Sequence, residues 1–111
     1  MLFSSPSWAS TPTECIRRVV WGESGNQSER GKQAVAHVIL NRARLSKQDI
    51  CSVTKKRGQF TTWRTPPKDF TFSVKYPDPT GGALYFQRLN TKRWGDAIRY
   101  ITIGDHTFYG K

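Results

Sequence analysis

Apolar and polar positions divide the chain into two stretches of different periodicity. In "TPTECIRRVVWGES", residues 11–24, Ile16, Val19 and Val20 recur at helical spacing and fall on one face. Thr11 is placed to cap this helix, Pro12 suits its first position and Glu14 completes a capping box. Gly22 and Gly25 predict that it ends around Glu23. Ser28 caps a second predicted helix, running to about Arg44. Its "AVAHVIL" segment is apolar around most of its circumference, leaving a narrow polar stripe of Gln33, His37, Asn41 and Arg44. A helix of this kind is the buried post of a small domain. A short helical turn is expected around Ile50 to Val53.

After Gly58 the pattern changes. "GQFTTW", "ALYFQ" and "ITIGDHTFYG" are rich in Thr, Ile and aromatics and read as short strands. "RTPPKDF" and "YPDPTGG" carry turn chemistry, and "TKRWGDAIRY" fits either a loop or a short helix. Helices first and a small antiparallel sheet afterwards make an α+β fold. With 111 residues there is room for one core: an N-terminal arm over 1–10, then one domain over 11–111.

The side-chain direction of Glu23 changes the picture. It lies three, four and seven residues after Val20, Val19 and Ile16, so it points to the side of the apolar stripe. Burial disfavours the charged form of a carboxyl and raises its pKa, as a glycosidase general acid requires. The small neighbours Gly22, Ser24 and Gly25 leave room for a bulky substrate. The plainer reading has Glu23 capping the helix or pairing with one of many arginines, and the residues alone do not decide between the two.

Charge adds a partner. The net formal charge is +10, from 18 Lys and Arg against 8 Asp and Glu, which favours a polyanion such as nucleic acid, anionic membrane or bacterial envelope polymer. The lysines and arginines of "TKKRGQF" and "QRLNTKRWG" read equally as a solvated face. Cys15 and Cys51 either pair or remain buried thiols. With His37 and His106 the only histidines, no zinc-finger spacing exists, and no metal or other cofactor is expected. No apolar run approaches the roughly 20 residues of a membrane span. "MLFSSPSWASTPTE" lacks the basic and apolar regions of an ordinary signal peptide.

"VVWGESGNQSERGKQAVAHVILNR", "ICSVTKKRGQFT", "DPTGGALYF" and "TIGDHTFYGK" together, in this order, resemble the SleB/CwlJ-type cell wall hydrolase family. The "ESGN" piece is also similar to the catalytic start of lysozyme-like lytic transglycosylases. The resemblance implies a lysozyme-like domain, acting without a cofactor on the MurNAc–GlcNAc bond of peptidoglycan glycan strands, with Glu23 as catalytic residue. It implies a single acid that protonates the glycosidic oxygen and then deprotonates the C6 hydroxyl, giving 1,6-anhydromuramic acid. The sequence departs from the family between Phe60 and Asp78, where a longer insert with a helix is usual. The family's common second Gly-Glu is also absent, because Asn26 follows Gly25.

Gln59, Thr61, Tyr85 and His106 are the candidate substrate-binding residues. Gln59 and Thr61 alternate with Phe60 on a presumed strand; Tyr85 and Phe86 must face opposite ways, one toward sugar and one toward the core. His106 either binds substrate or makes a structural hydrogen bond. His37 is expected as a satisfied core histidine and Asn41 as a tie to backbone. Of the candidates for a second carboxylate, Asp78 is expected to be a turn residue, and the family pattern implies that none is required at Asp105. A hydrolytic muramidase is the nearest alternative. A basic nucleic-acid-binding module that stacks bases on aromatic side chains is the alternative from another class. Without an export signal, a phage lysin released by a holin or delivered in a virion is expected, acting as a monomer on the cell wall.

Overall fold

A computed structural model describes residues 11–55, 65–88 and 98–110. Helix α1 spans Pro12–Ser24; Thr11 Oγ1 accepts the Glu14 amide at 3.2 Å, and Pro12 opens the helix where no intrahelical N–H is needed. Cys15, Ile16, Val19 and Val20 are buried on one face. On the opposite side Glu14 pairs with Arg17 at 3.2 Å and Arg18 at 3.1 Å. Helix α2 spans Glu29–Ser46, capped by Ser28 Oγ on the Gly31 amide at 3.1 Å. It runs two residues past the expected end. There Lys47 adopts a left-handed φ of 57° and the Gln48 amide reaches back to Ala43 O at 3.1 Å. Helix α3, Ile50–Lys55, starts at Asp49, whose carboxylate accepts the Ser52 amide at 2.9 Å.

A Cys15–Cys51 disulfide ties α1 to α3, with Cα atoms 5.4 Å apart. Of the two alternatives open for these cysteines, the structure shows the pair.

The polar stripe of α2 is not a solvent face. Gln33, His37 and Asn41 are buried, because an extended strap over residues 65–83 lies across them. Gln33 donates to Ser73 O and accepts the Lys75 amide, both at 2.8 Å. His37 Nε2 lies 2.7 Å from Lys75 O, and Asn41 donates to Ala83 O at 3.0 Å. Both residues thus have the roles expected for them. Phe70, Phe72 and Val74 pack against the core while Thr71, Ser73 and Lys75 are exposed. The period is that of a strand, but helix side chains take the place of a partner strand. Arg17 extends the grip, donating to Phe70 O at 2.9 Å and Pro67 O at 2.8 Å.

The strap ends in a turn organised by Asp78. Its carboxylate accepts from the Thr80 amide and hydroxyl, both at 2.7 Å, from the Gly82 amide at 3.0 Å, and from Asn41 at 2.9 Å. Asp78 is therefore a turn residue, as its Asp-Pro-Thr-Gly setting predicts.

The sheet has strands β1 (Tyr85–Arg88), β2 (Ile98–Ile103) and β3 (His106–Gly110) in antiparallel order β1-β3-β2. A strand is found in "ALYFQ", while "ITIGDHTFYG", read as one strand, is broken by a turn into parts of two; "GQFTTW" lies outside the described residues. In "TKRWGDAIRY", residues 98–100 begin β2 and the rest lies outside. Gly104, at φ 59°, makes the two-residue turn between β2 and β3, a position that favours glycine. Central β3 is buried along its whole length. Phe108 and Ile103 join Val19, Val20, Val35, Val38 and Ile39 in one core. The class is α+β, as expected.

Candidate active site

Glu23 sits in the last turn of α1 and is half-buried. Two features fix that turn. Ser24, fully buried, donates its hydroxyl to Val20 O at 2.9 Å, and the Gly25 amide donates to Trp21 O at 3.0 Å. Gly25 also has a role not read in the sequence. A Cβ there would come within 2.7 Å of Trp21 O and 2.9 Å of its ring, so the glycine makes room for Trp21. The Trp21 ring in turn meets Phe70 of the strap edge-on, centroids 5.0 Å apart.

Across from the helix end lies the start of β3. His106 is 3% exposed and its Nδ1 is buried with no hydrogen-bond partner among the described residues. Buried polar atoms in folded proteins are nearly always satisfied, by protein, water or ligand, so this nitrogen is suited to a group that enters the site. The ring packs edge-on against Phe86, centroids 5.2 Å apart. Burial holds the imidazole below its ordinary pKa; the Glu23 charge opposes that, the Arg88 charge adds to it, and the Asp105 charge opposes it. The pair therefore combines a carboxyl with a neutral, largely dehydrated imidazole at neutral pH. That arrangement can give and take one proton beside a hydrogen-bonding group.

The other predicted residues divide. Tyr85 begins β1, and its ring faces the guanidinium of Arg42, 4.8 Å away. In register, Arg88 pairs with His106 and Tyr85 with Tyr109, so strand alternation puts Tyr85 on the opposite face from His106. Of Tyr85 and Phe86, it is Phe86 that shares the His106 face, together with its cross-strand partner Phe108. The structure thus does not bring Tyr85 to His106, because it lies an odd number of positions along the ladder. Gln59 and Thr61 lie outside the described residues. Asp105 is exposed and held by Gln27, a residue that sequence reasoning missed. Gln87, also missed, is buried with Oε1 unpartnered, on the face opposite His106. Among the described residues no three His, Cys, Asp or Glu side chains group as metal ligands, and no helix is long and apolar enough to cross a membrane.

The model of a family described as cell wall hydrolase matches residues 26–109, beginning three positions after Glu23. Two solved structures are similar over nearly the whole chain. The catalytic domain of the Bacillus cereus SleB protein is 25% identical, with a TM-score of 0.69, over 88% of each chain. The catalytic domain of the germination-specific lytic transglycosylase SleB from Bacillus anthracis is also 25% identical, with a TM-score of 0.71, over 95% of this chain and 99% of that one. No curated protein matches.

Proposed function

This chain belongs to the cell wall hydrolase family, and we propose that it cleaves the MurNAc–GlcNAc bond of peptidoglycan glycan strands as a lytic transglycosylase, with Glu23 as its acid and base. The observation that supports this is the half-buried Glu23 at the end of α1, across from the buried His106 that begins β3. Glu23 donates its proton to the glycosidic oxygen as the C1–O bond breaks. The resulting carboxylate then takes the proton of the C6 hydroxyl as that oxygen bonds to C1, closing the 1,6-anhydro ring. No water is added, and one carboxyl serves both steps. In this reading His106 hydrogen-bonds the sugar through Nδ1 and fixes it against Glu23, with Phe86 beside it on the same face.

The geometry of the remaining acids supports a single-carboxyl route. Four donors surround Asp78, which leaves it engaged in the turn. Asp105 accepts from Gln27 and is the carboxylate on which a hydrolytic reading would rest. The nucleic-acid alternative is set aside by family membership. The charge of +10 instead suits anionic polymers of the envelope.

Digestion of purified peptidoglycan in ¹⁸O-labelled water distinguishes the two cleavage chemistries. Anhydro products are expected, unlabelled and ~20 Da lighter than the labelled products that hydrolysis would give. Label at a new reducing end would overturn the transglycosylase reading in favour of the muramidase.

A further inference from the structure

The loop between α1 and α2 meets the turn between β2 and β3 through one side chain. Gln27 donates from Nε2 to Asp105 Oδ2 at 3.0 Å and to Asn26 Oδ1 at 3.1 Å. Its Oε1 accepts the backbone N–H of Asp105 at 3.1 Å. Both ends of the amide are engaged, so its orientation is determined. Reversal would set NH₂ against the Asp105 N–H and carbonyl oxygen against its carboxylate. The approach is close: a Cβ at Gly104 would collide with Gln27 Oε1, so glycine is required there by contact as well as by its positive φ.

The clasp stands between the two halves of the site. Glu23 is four residues before Gln27, and His106 directly follows Asp105. Nothing in the local helix or hairpin sets the distance between Glu23 and His106, since they belong to different elements. The cross-tie does. Misplacing a reacting group by about 1 Å costs on the order of 10²-fold in rate, so the tie acts on the chemistry without touching the substrate.

We propose that Gln27 and Asp105 are positioning residues for glycan cleavage, their clasp fixing the end of α1 against the β2–β3 turn and so Glu23 against His106. The proposal rests on the reading of Glu23 as acid and base.

The test uses Gln27→Glu, nearly isosteric, which removes the N–H donor and sets a second carboxylate against Asp105. Its kcat on purified peptidoglycan is expected to fall at least ~10-fold with KM changed less than about twofold, because alignment is lost and binding is not. The double variant Gln27→Glu/Asp105→Asn restores a donor–acceptor pair at unchanged net charge, and recovery to within about threefold of wild-type kcat is expected. A merely structural role would lower the melting temperature without this split and rescue. NMR titration of His106 in wild type and in Gln27→Ala supplies a readout without turnover. In the variant the imidazole should move toward its ordinary pKa as the loosened turn admits water. Active wild type with an equally active Gln27→Glu overturns the proposal. Wild type that leaves peptidoglycan intact sinks the functional reading instead, and an unchanged His106 titration in Gln27→Ala then overturns the clasp by itself.

Discussion

The side-chain amide of Asn41 donates to the carboxylate of Asp78 at 2.9 Å and to Ala83 O at 3.0 Å, joining the middle of α2 to both ends of the turn before β1. Burial pushes the Asp78 carboxyl up, but hydrogen bonds from Asn41 and Thr80 outweigh it and hold it below its ordinary value, with a further contribution from His37. A carboxyl whose folded pKa is depressed stabilises the fold above its unfolded value of about 3.9, and that stability is lost as pH falls through the folded value. Asp78→Asn should cost about 2–3 kcal/mol at pH 7, since hydrogen bonds to a charged group are the stronger kind. The difference from wild type should shrink below about pH 3.5. Urea unfolding at both pH values measures this; an equal difference at the two would refute it.

His106 has the same sign of shift by a different route. Its folded pKa lies below the ordinary value because burial disfavours the imidazolium. Below about pH 6.5 the unfolded chain takes up a proton that the folded imidazole refuses, so stability falls as pH is lowered through that window. Melting temperatures between pH 7.5 and 5 should show the decline in wild type and a shallower one in His106→Gln.

Glu23→Gln keeps the shape of the side chain and removes its exchangeable proton. Loss of ~10²–10⁴-fold in peptidoglycan cleavage is expected, the usual contribution of a general acid–base group, with circular dichroism and melting temperature close to wild type. A folded variant with wild-type turnover would remove Glu23 from the chemistry.

The Cys15–Cys51 disulfide closes a loop of sequence separation 36 that contains Glu23 and all of α2. The chain-entropy model gives it a stabilisation of about 4 kcal/mol. Reduction, or Cys15→Ser/Cys51→Ser, should lower the urea midpoint correspondingly. A midpoint indifferent to reductant would show that α1 and α3 stay together without it.

Binding to isolated cell walls should weaken as salt rises to about 0.5 M, where the Debye length falls below ~5 Å. Cleavage of soluble uncharged glycan fragments should change much less. Sedimentation with walls across a salt series reads the first effect, and salt-independent binding would exclude the basic surface from wall recognition.

Much of the fold was legible in local signals. Thr11 and Ser28 cap their helices where the sequence places caps, and Ile16, Val19 and Val20 are buried on one face; the hairpin turn at Gly104, inside a segment read as one strand, was not foreseen. What could not be read is what depends on distant partners. Gln33 is an ordinary helix polar residue until Ser73 and Lys75, some forty positions away, are laid across it. Gln27 carries no spacing signal, because its partner is 78 residues on. The alternation of Phe70, Phe72 and Val74 has a strand's period without a strand's ladder. At the site, the opposite facing of Tyr85 and Phe86 followed from alternation alone. Which of them shares a face with His106 needed the register of β1 against β3.

The hydrogen bonds from Gln33 and His37 to the strap are blind to the identity of residues 73 and 75. Both side chains bond to peptide groups of the strap, at residues 73 and 75, and the side chains of Ser73 and Lys75 turn outward, while the His37 ring also meets Tyr76 edge-on, centroids 5.1 Å apart. These bonds ask one thing of residues 73 and 75, an N–H at position 75, which forbids proline there; the positions between and before them, Val74 and Phe72, are chosen by the core. The outward side chains of Ser73 and Lys75 can therefore be exchanged without disturbing the path of the strap over the helix, a separation of hold from display within a few residues.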